Sequence, residues 1–361
     1  MLMKMIITAG GTMGHINPAL AIIEEFKKHD KNLEVLYIGT HNRMEKDVIP
    51  SKGIAYEGIQ IYGFSKDLLL DLKNIFYIHK ATKRCIEIMK NFKPDIVIGV
   101  GGYVTYPVLK AAKKMGIKTA IHEQNSIPGK SNKMIAKYAD FVAVTFESSI
   151  PYFKTNGKIL VTGHPCGAWA LAREKLNKES LGFHRDKKLV TVVAGSLGSG
   201  SLNDKFLNVL KKLKGKDYEV CYITGRGHYE EMKKENVPKN VQFIPYCDNL
   251  PGLMKVSDLV VSRAGAGSLS EILSLEIPSL IIPSPNVANN HQYYNAKELQ
   301  EKGCIELLEE KDITEEILLK AIEDCLYNKE KRLKMIQSMK KLDTKNSSLM
   351  IYQNIKEMIS K

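Results

Sequence analysis

TAGGTMGHINPALAI, residues 8 to 22, joins an apolar run to a helical pattern through a short glycine-rich turn. Before the turn, residues Met3 to Ala9 alternate and are rich in β-forming types, and after it apolar residues recur at helical spacing from Pro18 to Lys28. A strand that feeds a helix through a tight turn is the repeating element of a parallel α/β sheet. The segment therefore predicts an α/β fold.

The same alternation of strands and helices runs through both halves of the chain. In the first half, with helical segments at 77–92 and 131–138, the further apolar runs are LEVLYIG (33–39), PDIVIGVGG (94–102), KTAIHEQ (118–124) and FVAVTF (141–146). After a polar, helical connector at 164–188, the pattern restarts with LVTVVAG (189–195), a helix from about Asn203, and then EVCYITG (219–225), VQFIPY (241–246), DLVVSRAG (258–265) and SLIIPSP (279–285). This pattern predicts two Rossmann-like domains with a cleft between them.

The predicted domain limits are 1–163 for the first domain, 164–340 for the second, and 341–361 for a C-terminal helix that we expect to return to the first. A length of 361 residues, about twice a common domain size, agrees with two domains. Six scattered cysteines without CxxC spacing argue against a disulfide framework or a zinc ribbon. No apolar stretch reaches the length of a membrane span, and the start does not read as a signal peptide, so we expect a cytoplasmic protein.

The formal net charge of +13 suits nucleic acid, an anionic membrane surface or phosphorylated substrates. A general bias toward lysine explains the charge equally well, because the lysines are spread along the chain. No basic motif interleaved with aromatic residues supports a nucleic-acid partner.

The glycine-rich turn does not match two common nucleotide motifs. The glycines of 10–14 lack the G-x-G-x-x-G spacing, and the second strand ends at Thr40 without the acid that would hold a ribose. PGKS (128–131) resembles part of a P-loop, but Gln124 stands where the motif requires its first glycine. Both motifs are excluded.

Four glycine loops follow strands: GGTMGH (10–15), GVGGY (99–103), AGSLGS (194–199) and RAGAGS (263–268). Glycine lets backbone N–H groups approach an oxygen-rich ligand, and a following helix N-terminus favours negative charge. Two loops in each half suit a diphosphate donor and a second phosphorylated molecule. Tight turns without a ligand are the alternative.

Ordered motifs along nearly the whole chain resemble one family. They are GGTMGH (10–15), GGYV (101–104), HEQNSIPGKSNK (122–133), VTGHP (161–165), the GS pair at 195–196, SRAGAGSLSEI (262–272) and IPSPNVANNHQYYNA (282–296). Together they resemble the MurG-type glycosyltransferases, which add N-acetylglucosamine from UDP-GlcNAc to the lipid-linked muramyl-pentapeptide precursor of peptidoglycan. The resemblance implies a GT-B fold, inversion of the anomeric centre, no cofactor and no tightly bound metal.

The resemblance also assigns ligand-binding positions. In the first loop, Thr12, Met13 and Gly14 are placed where the family meets the donor and the acceptor diphosphate. Ser196 in the third loop is placed on the donor phosphate or nearby atoms, and Ala266, Gly267 and Ser268 are placed at the helix start under the diphosphate. Those placed on the rest of the donor are Asn125 and Gln292 on the sugar, Glu271 on the ribose hydroxyls, and the Cys247 backbone on uracil. Glu271 follows Gly267 by about one helical turn and so can reach the loop mouth, although an exposed helix-surface acid is the alternative.

His15 is the candidate general base. An acceptor hydroxyl needs a base as it attacks the anomeric carbon. A histidine at a helix N-terminus has its imidazolium form disfavoured by the helix dipole and so stays able to accept a proton. The alternative is a histidine that caps its helix or bonds a backbone carbonyl. Glu123 is a second candidate that instead could hold its loop.

Residues 64–84 combine apolar and basic side chains, as an interfacial membrane patch requires. The apolar residues are Leu68, Leu69, Leu70, Leu72, Ile75, Phe76 and Tyr77, and the basic ones are Lys66, Lys73, Lys80, Lys83 and Arg84. An amphipathic helix packed on the sheet fits the same spacing. Because the implied acceptor is lipid-linked, we expect contact with the anionic inner leaflet, peripheral location on the cytoplasmic face of the membrane, and other cell-wall enzymes as partners.

Departures from the family pattern cluster near the donor. Met13 replaces a common glycine, the GS loop has Ala194 and Leu197, and Cys166-Gly167 stand where the family has an arginine that would bond the diphosphate. Arg263 or a lysine could take over that charge. Two other functions therefore stay open: a related transferase with another UDP-sugar or lipid acceptor, and a non-catalytic UDP-sugar-binding scaffold.

Overall fold

The computed structural model describes residues 3–63, 68–193, 198–342 and 344–360, with residues 68–75 and 344 described by their backbone alone. The chain divides into two compact units, Met1–Cys166 with Asn346–Lys361, and Gly167–Lys345. From the family resemblance we expect the acceptor and the membrane on the side of the first unit and the UDP-sugar donor in the second, and this assignment stays a prediction.

The strands and helices alternate along each unit. The strands are β1 (Lys4–Thr8), β2 (Glu34–Thr40), β3 (Ala55–Ile59), β4 (Ile96–Gly99), β5 (Lys118–Glu123), β6 (Phe141–Val144), β7 (Lys158–Val161), β8 (Lys188–Val193), β9 (Tyr218–Ile223), β10 (Val241–Ile244), β11 (Leu259–Ser262), β12 (Ser279–Ile281) and β13 (Glu306–Leu307). The helices are α1 (Met13–His29), α2 (Glu45–Ser51), α3 (Leu68–Phe92), α4 (Thr105–Lys114), α5 (Lys130–Ile135), α6 (Cys166–Ala172), α7 (Gly200–Lys211), α8 (Tyr229–Met232), α9 (Leu250–Met254), α10 (Ala266–Leu275), α11 (His291–Glu301), α12 (Glu315–Tyr327), α13 (Lys329–Lys341) and α14 (Ser347–Ser360).

In the first unit, the described residues form a parallel sheet in the order β3-β2-β1-β4-β5-β6-β7. Its central strands are apolar on both faces, as in β1, where Met5, Ile6 and Ile7 are all fully buried. The strand order reverses between β1 and β4, where Thr8 is in register with Gly99. The loops that follow these two strands therefore begin side by side, at the point where Rossmann-like sheets bind ligands.

The second unit repeats this topology. Its parallel sheet, within the part of the chain that the structure describes, has the order β10-β9-β8-β11-β12-β13, and Val193 of β8 is in register with Ser262 of β11. The order again reverses between two neighbouring strands that are each followed by a glycine loop. The predicted fold class of two Rossmann-like α/β domains is confirmed.

Helix α14 packs on helix α1 of the first unit. The ring of Tyr352 stacks on His29 at 4.4 Å between centroids and meets Phe26 edge-on at 4.9 Å. Ile351 and Ile355 are buried, and Ser348 donates to the Glu25 carboxylate. The last residues of the chain are thus part of the first unit's structure.

Two helix predictions differ from the structure. Helix α1 begins at Met13 rather than Pro18, so the glycine turn is shorter than the sequence suggested. The predicted helical connector at 164–188 was wrong beyond its first turns, because α6 ends at Ala172. There the Asn177 carboxamide accepts the backbone N–H groups of Glu179 and Ser180 and begins a separate short 3-10 turn, which competes with a continuous helix.

Candidate functional site

The loops after β1 and β4 contact each other through the backbone of their glycines. The Gly10 N–H donates to the Gly101 carbonyl at 3.1 Å. A Cβ on Gly102 would stand 2.5 Å from the Gly10 oxygen, and one on Gly101 would stand 2.6 Å from Cδ2 of His15. Gly101 also has a φ of +116°, a conformation that favours glycine. The glycines of GVGGY thus have a packing role beside the first loop.

His15 is the third residue of α1 and is half-buried. Its Nδ1 lies 2.9 Å from the Gly10 carbonyl oxygen. Because a carbonyl oxygen can only accept, Nδ1 carries a proton, and the basic lone pair of the neutral ring is on Nε2. The backbone-carbonyl bond that the sequence offered as the alternative to a base is therefore present. It is compatible with a base, since it fixes which nitrogen accepts.

The first loop leads into a helix N-terminus. Thr12 is the exposed N-cap of α1, and its carbonyl accepts the N–H groups of His15 and Ile16. The N–H groups of the first helical residues, Met13 and Gly14, have no preceding turn to bond within the helix. Such N–H groups attract anionic oxygens.

The side chain of Glu45, which the sequence analysis missed, forms a hydrogen bond with the backbone of this loop. Its side chain is fully buried at the start of α2. The carboxylate accepts the Gly11 N–H at 3.2 Å, the Thr40 N–H at 3.1 Å and the Thr40 hydroxyl at 2.7 Å. An acidic side chain therefore does lie at the end of β2, where the dinucleotide motif would place one. Its oxygens, however, accept hydrogen bonds from the protein's own backbone and hydroxyl groups.

Glu123 ends β5 and organises the loop that carries Asn125. It is 1% exposed and accepts the backbone N–H groups of Asn125 at 2.9 Å and Gly129 at 3.2 Å, and the Asn132 amide at 2.9 Å. Burial raises its pKa, while these donors act in the opposite direction. The geometry favours the loop-holding role for Glu123.

His122 is a buried structural histidine. Its Nδ1 accepts from the Gln124 amide at 3.1 Å, so its Nε2 carries the proton that is donated to the Gly163 carbonyl at 3.1 Å. Burial lowers the pKa of His122 to about 4. The ring therefore stays neutral and ties the end of β5 to the loop after β7.

In the second unit, the loop after β11 leads directly into α10. Gly265 is the N-cap, and Ala266, Gly267 and Ser268 form the first turn. Their N–H groups form a helix N-terminus of the kind that binds phosphate. The loop after β8 includes Ser196, which lies outside the described residues, as do Ala194 and Leu197.

Arg263 does not replace the missing family arginine as a free cation. Its guanidinium is 6% exposed and lies 2.6 Å from the Glu310 carboxylate. It also donates to the Ile282 and Pro283 carbonyls at 3.3 and 3.1 Å and to the Ser199 hydroxyl at 2.8 Å. A buried guanidinium with these partners joins the ends of β11 and β12 to the start of α7. The hypothesis that Arg263 takes over the diphosphate contact is therefore not supported by its geometry.

Gly167 has a packing reason to be a glycine. A Cβ at this position would stand 2.1 Å from the Ser274 hydroxyl oxygen on α10. An arginine at 167 would require the Ser274 side chain, or α10 itself, to move. This contact accounts for one of the two departures at Cys166-Gly167.

The remaining donor positions lie around the same edge of the second unit's sheet. Glu271 is half-buried in α10, and burial raises its pKa to about 7. The side-chain amide oxygen of Gln292 accepts the Ser284 backbone N–H at 2.9 Å, and this bond fixes the direction in which the NH2 group of the same amide points. Cys247 follows β10 and is the half-buried cysteine, whereas the other five are buried.

Sequence reasoning missed Glu45 and the Arg263–Glu310 pair. Glu45 belongs to no motif, and its helix follows β2 through a polar loop that carries no periodic signal. The sequence signal for Glu45, an acidic residue next to glycine loops, can be recognised only once the fold is known. Within the described residues, no helix has both the length and the apolarity to cross a bilayer.

Models of glycosyltransferase family 28 match both halves of the chain, the N-terminal domain over residues 5–144 and the C-terminal domain over residues 189–350. The chain is 40% identical over 363 residues to a Halalkalibacterium halodurans protein named UDP-N-acetylglucosamine--N-acetylmuramyl-(pentapeptide) pyrophosphoryl-undecaprenol N-acetylglucosamine transferase, with 99% of each chain covered. A Bacillus cereus transferase of the same description is 39% identical over 365 residues, covering 99% of this chain and 100% of its own.

The crystal structure of Acinetobacter baumannii MurG has the same fold, with a TM-score of 0.78 at 24% identity over 98% of this chain and 99% of that one. These matches confirm the resemblance to MurG-type enzymes that the sequence motifs indicated. The chain therefore belongs to glycosyltransferase family 28, together with these N-acetylglucosamine transferases.

Proposed function

We propose that the chain is an inverting glycosyltransferase that moves N-acetylglucosamine from UDP-GlcNAc to the lipid-linked muramyl-pentapeptide precursor of peptidoglycan. The observation that carries this proposal is the 40% identity over 99% of a transferase named for that reaction. The hydrogen bond from His15 to Gly10 supports it from the structure, because it leaves Nε2 as the proton acceptor.

The transfer needs one proton acceptor and one stabilised leaving group. An acceptor hydroxyl attacks the anomeric carbon from the face opposite the UDP, and a new C–O bond forms as the bond to the diphosphate oxygen breaks. The electron pair of the broken bond leaves with UDP, and His15 Nε2 takes the hydroxyl proton. Attack from the opposite face inverts the anomeric centre.

Fixed dipoles of the second unit favour the leaving group. The N–H groups at the start of α10, Ala266 to Ser268, are preorganised to meet the negative charge that grows on the diphosphate. Ser196 is proposed as a further phosphate contact. Preorganised donors need no rearrangement at the moment of bond breaking, which is why a helix N-terminus suits this role.

Other positions are proposed to recognise the rest of the donor. Glu271 holds the ribose hydroxyls, Gln292 the sugar, and the Cys247 backbone the uracil. In the first unit, Asn125 contacts the sugar, and Thr12, Met13 and Gly14 meet phosphate at the start of α1. The Glu123 bonds to the Asn125 loop and the Ser284 bond to Gln292 keep two of these side chains in place before the donor arrives.

The lipid-linked acceptor requires the enzyme to work at the inner, cytoplasmic face of the membrane as a peripheral protein. Phe76 is 67% and Tyr62 44% exposed, and Tyr77 joins them, with ring centroids 5.2 Å from Tyr62 and 6.0 Å from Phe76. Lys80 and Lys83 are exposed on the same helix, whereas Arg84 is paired with Glu57 and Glu87. Exposed aromatic residues beside lysines suit an anionic leaflet. The side chains of residues 68–75, and all of residues 64–67, lie outside the described part of the chain.

The test is a donor comparison with a short-chain muramyl-pentapeptide lipid. UDP release and the mass of the lipid product are measured with UDP-GlcNAc, UDP-glucose and UDP-galactose. We expect release and a product heavier by one N-acetylhexosamine with UDP-GlcNAc alone. Turnover with another donor would point to a related transferase, and binding of UDP-sugar without turnover to a scaffold protein; either result would overturn the proposal.

A further inference from the structure

Glu45 and His15 contact opposite sides of one peptide group. The Glu45 carboxylate accepts the N–H of Gly11, and Nδ1 of His15 donates to the carbonyl of Gly10. These two groups belong to the same Gly10–Gly11 peptide bond. The described chain has no cis peptide bond. This N–H and this C=O therefore lie in one plane and point in opposite directions within it.

The plane cannot turn without breaking both contacts. If the Gly11 N–H left the carboxylate, the Gly10 carbonyl would turn away from Nδ1 by the same rotation, because the peptide is rigid. The preceding peptide is fixed separately, because the Gly10 N–H donates to the Gly101 carbonyl at 3.1 Å. The carboxylate therefore determines where the Gly10 carbonyl points.

The Glu45 side chain itself is fixed by close packing. Its Oε1 would be 2.7 Å from a Cβ on Gly10, and its Cγ 2.7 Å from a Cβ on Gly39. Thr40 donates both its N–H and its hydroxyl to Oε1. The bare glycine backbones at the ends of β1 and β2 thus leave room for this buried carboxylate.

The buried Glu45 carboxylate lies directly against the Gly10–Gly11 peptide. A fully buried carboxylate loses its hydration, and hydrogen bonds must offset that loss. Its negative charge also polarises the peptide that it contacts, and chains of hydrogen bonds strengthen one another in a low-dielectric interior. The Gly10 carbonyl becomes a better acceptor for Nδ1–H, which favours the tautomer whose lone pair is on Nε2.

We propose that Glu45 is a positioning residue for the base: through the Gly10–Gly11 peptide it sets the orientation and tautomer of His15 and supports proton acceptance at Nε2. Its effect on turnover rests on the proposed function, whereas its effect on the tautomer does not. In these contacts, one peptide group links the Glu45 carboxylate to the His15 imidazole.

Glu45→Gln tests the proposal with nearly the same side-chain shape. A carboxamide has one acceptor oxygen, so its NH2 group must face either the Gly11 N–H or the Thr40 N–H, and one backbone donor loses its acceptor. Glu219→Gln is the matched control. Glu219 is also buried, at 3% exposure, and accepts the His184 N–H at 2.7 Å in the second unit.

The first measurement is two-bond 1H–15N correlation NMR on protein with 15N-labelled histidine, with His15→Ala used to assign the signals. We expect His15 of the unsubstituted protein in the Nδ1–H tautomer, and a mixture with the Nε2–H form in Glu45→Gln. Glu219→Gln should leave the His15 signals unchanged. An Nε2–H tautomer in the unsubstituted protein would overturn the proposal whatever the variants do.

The second measurement is turnover. We expect Glu45→Gln to lower kcat by roughly 10- to 100-fold, as misplacement of a reacting group does, and to have little further effect when His15→Ala is already present. Glu45→Asp, which keeps both acceptor oxygens, should recover part of the loss. It also replaces Glu45→Gln if that variant does not fold.

The outcomes separate the two proposals. An inactive unsubstituted enzyme would overturn the proposed function while the NMR measurement still tests Glu45. An active enzyme whose folded Glu45→Gln variant keeps the tautomer and the kcat of Glu219→Gln would overturn the role of Glu45. Equal losses from Glu45→Gln with and without His15 would overturn it as well.

Discussion

Gly101 lies so close to His15 that a Cβ at residue 101 would stand 2.6 Å from Cδ2 and 2.9 Å from Nε2 of the imidazole. Ordinary side chains do not approach so closely, so the ring would have to move. The glycine after β4 therefore determines where the candidate base sits, although it belongs to a different loop.

Gly101→Ala should displace the imidazole and lower kcat by about tenfold or more, because small displacements of a reacting group are costly. Gly116→Ala is the matched control: Gly116 also has a positive φ, +70°, but nothing lies within 4 Å of its would-be Cβ. Both variants carry backbone strain of about 1 kcal/mol. Steady-state turnover and thermal melts of the two distinguish the clash from the strain, and equal kcat values would contradict the placement of His15.

The buried neutral His122 should make the protein less stable in acid. Its folded pKa of about 4 is below the value of 6.5 for an exposed histidine, so the unfolded chain binds the proton first as the pH falls. Its full contribution is present above pH 6.5, and on the order of 3 kcal/mol is lost between pH 6.5 and 4. Burial lowers the pKa of His164 too, in the same direction.

Urea unfolding of the protein and of His122→Gln between pH 7.5 and 4.5 measures this loss. We expect the variant to be less stable at neutral pH but to depend less steeply on pH. His79→Gln, a change at an exposed histidine, should keep the slope of the unsubstituted protein. A slope unaffected by His122→Gln would show that the ring is not buried in its neutral form.

Cys247 offers a direct chemical test of the uracil position. Five of the six cysteines are buried, so iodoacetamide at mildly alkaline pH should modify Cys247 first in the folded protein. Burial raises its pKa, so the reaction is slow. UDP should slow it further, as followed by mass spectrometry, with Cys247→Ser as the unlabelled control. Labelling of Cys247 at the same rate with saturating UDP would place the nucleotide elsewhere.

The Arg263–Glu310 pair should behave as a buried structural ion pair. Removing one partner, as in Arg263→Met, leaves a buried charge alone and should lower the free energy of unfolding of the second unit by about 3–5 kcal/mol. Arg263→Met combined with Glu310→Leu should recover much of that loss, because neither charge then remains. Urea unfolding measures both variants, and additive losses in the double variant would argue against the pairing.

The central strands were predictable because their signal is strong. Strands such as β1, β4, β8 and β11 are buried on both faces and read as continuous apolar runs. The sequence analysis missed β3, β7 and β13, which are all at the edges of their sheets and mostly half-exposed. An edge strand has fewer apolar positions, so its pattern resembles that of a loop.

The parts of the site that glycine loops and motifs mark were predictable from the sequence. The parts whose position depends on a single polar contact were not. The glycine loops and His15 stand out by spacing. Glu45 does not, because its role depends on the ends of β1 and β2 lying side by side. Arg263 looked available as a cation until its partners, distant in sequence, were known. Such pairings depend on the tertiary fold and leave no periodic signal.

The measurement that tests the central claim most directly is kcat with UDP-GlcNAc and a muramyl-pentapeptide lipid for His15→Ala and His29→Ala, two substitutions at opposite ends of α1. Loss of a general base should lower kcat by about 10²- to 10⁴-fold in His15→Ala, while His29→Ala stays near the unsubstituted enzyme. UDP binding by calorimetry should be similar in both, since neither histidine is among the proposed phosphate contacts. Equal turnover of the two variants would contradict His15 as the base and the mechanism built on it.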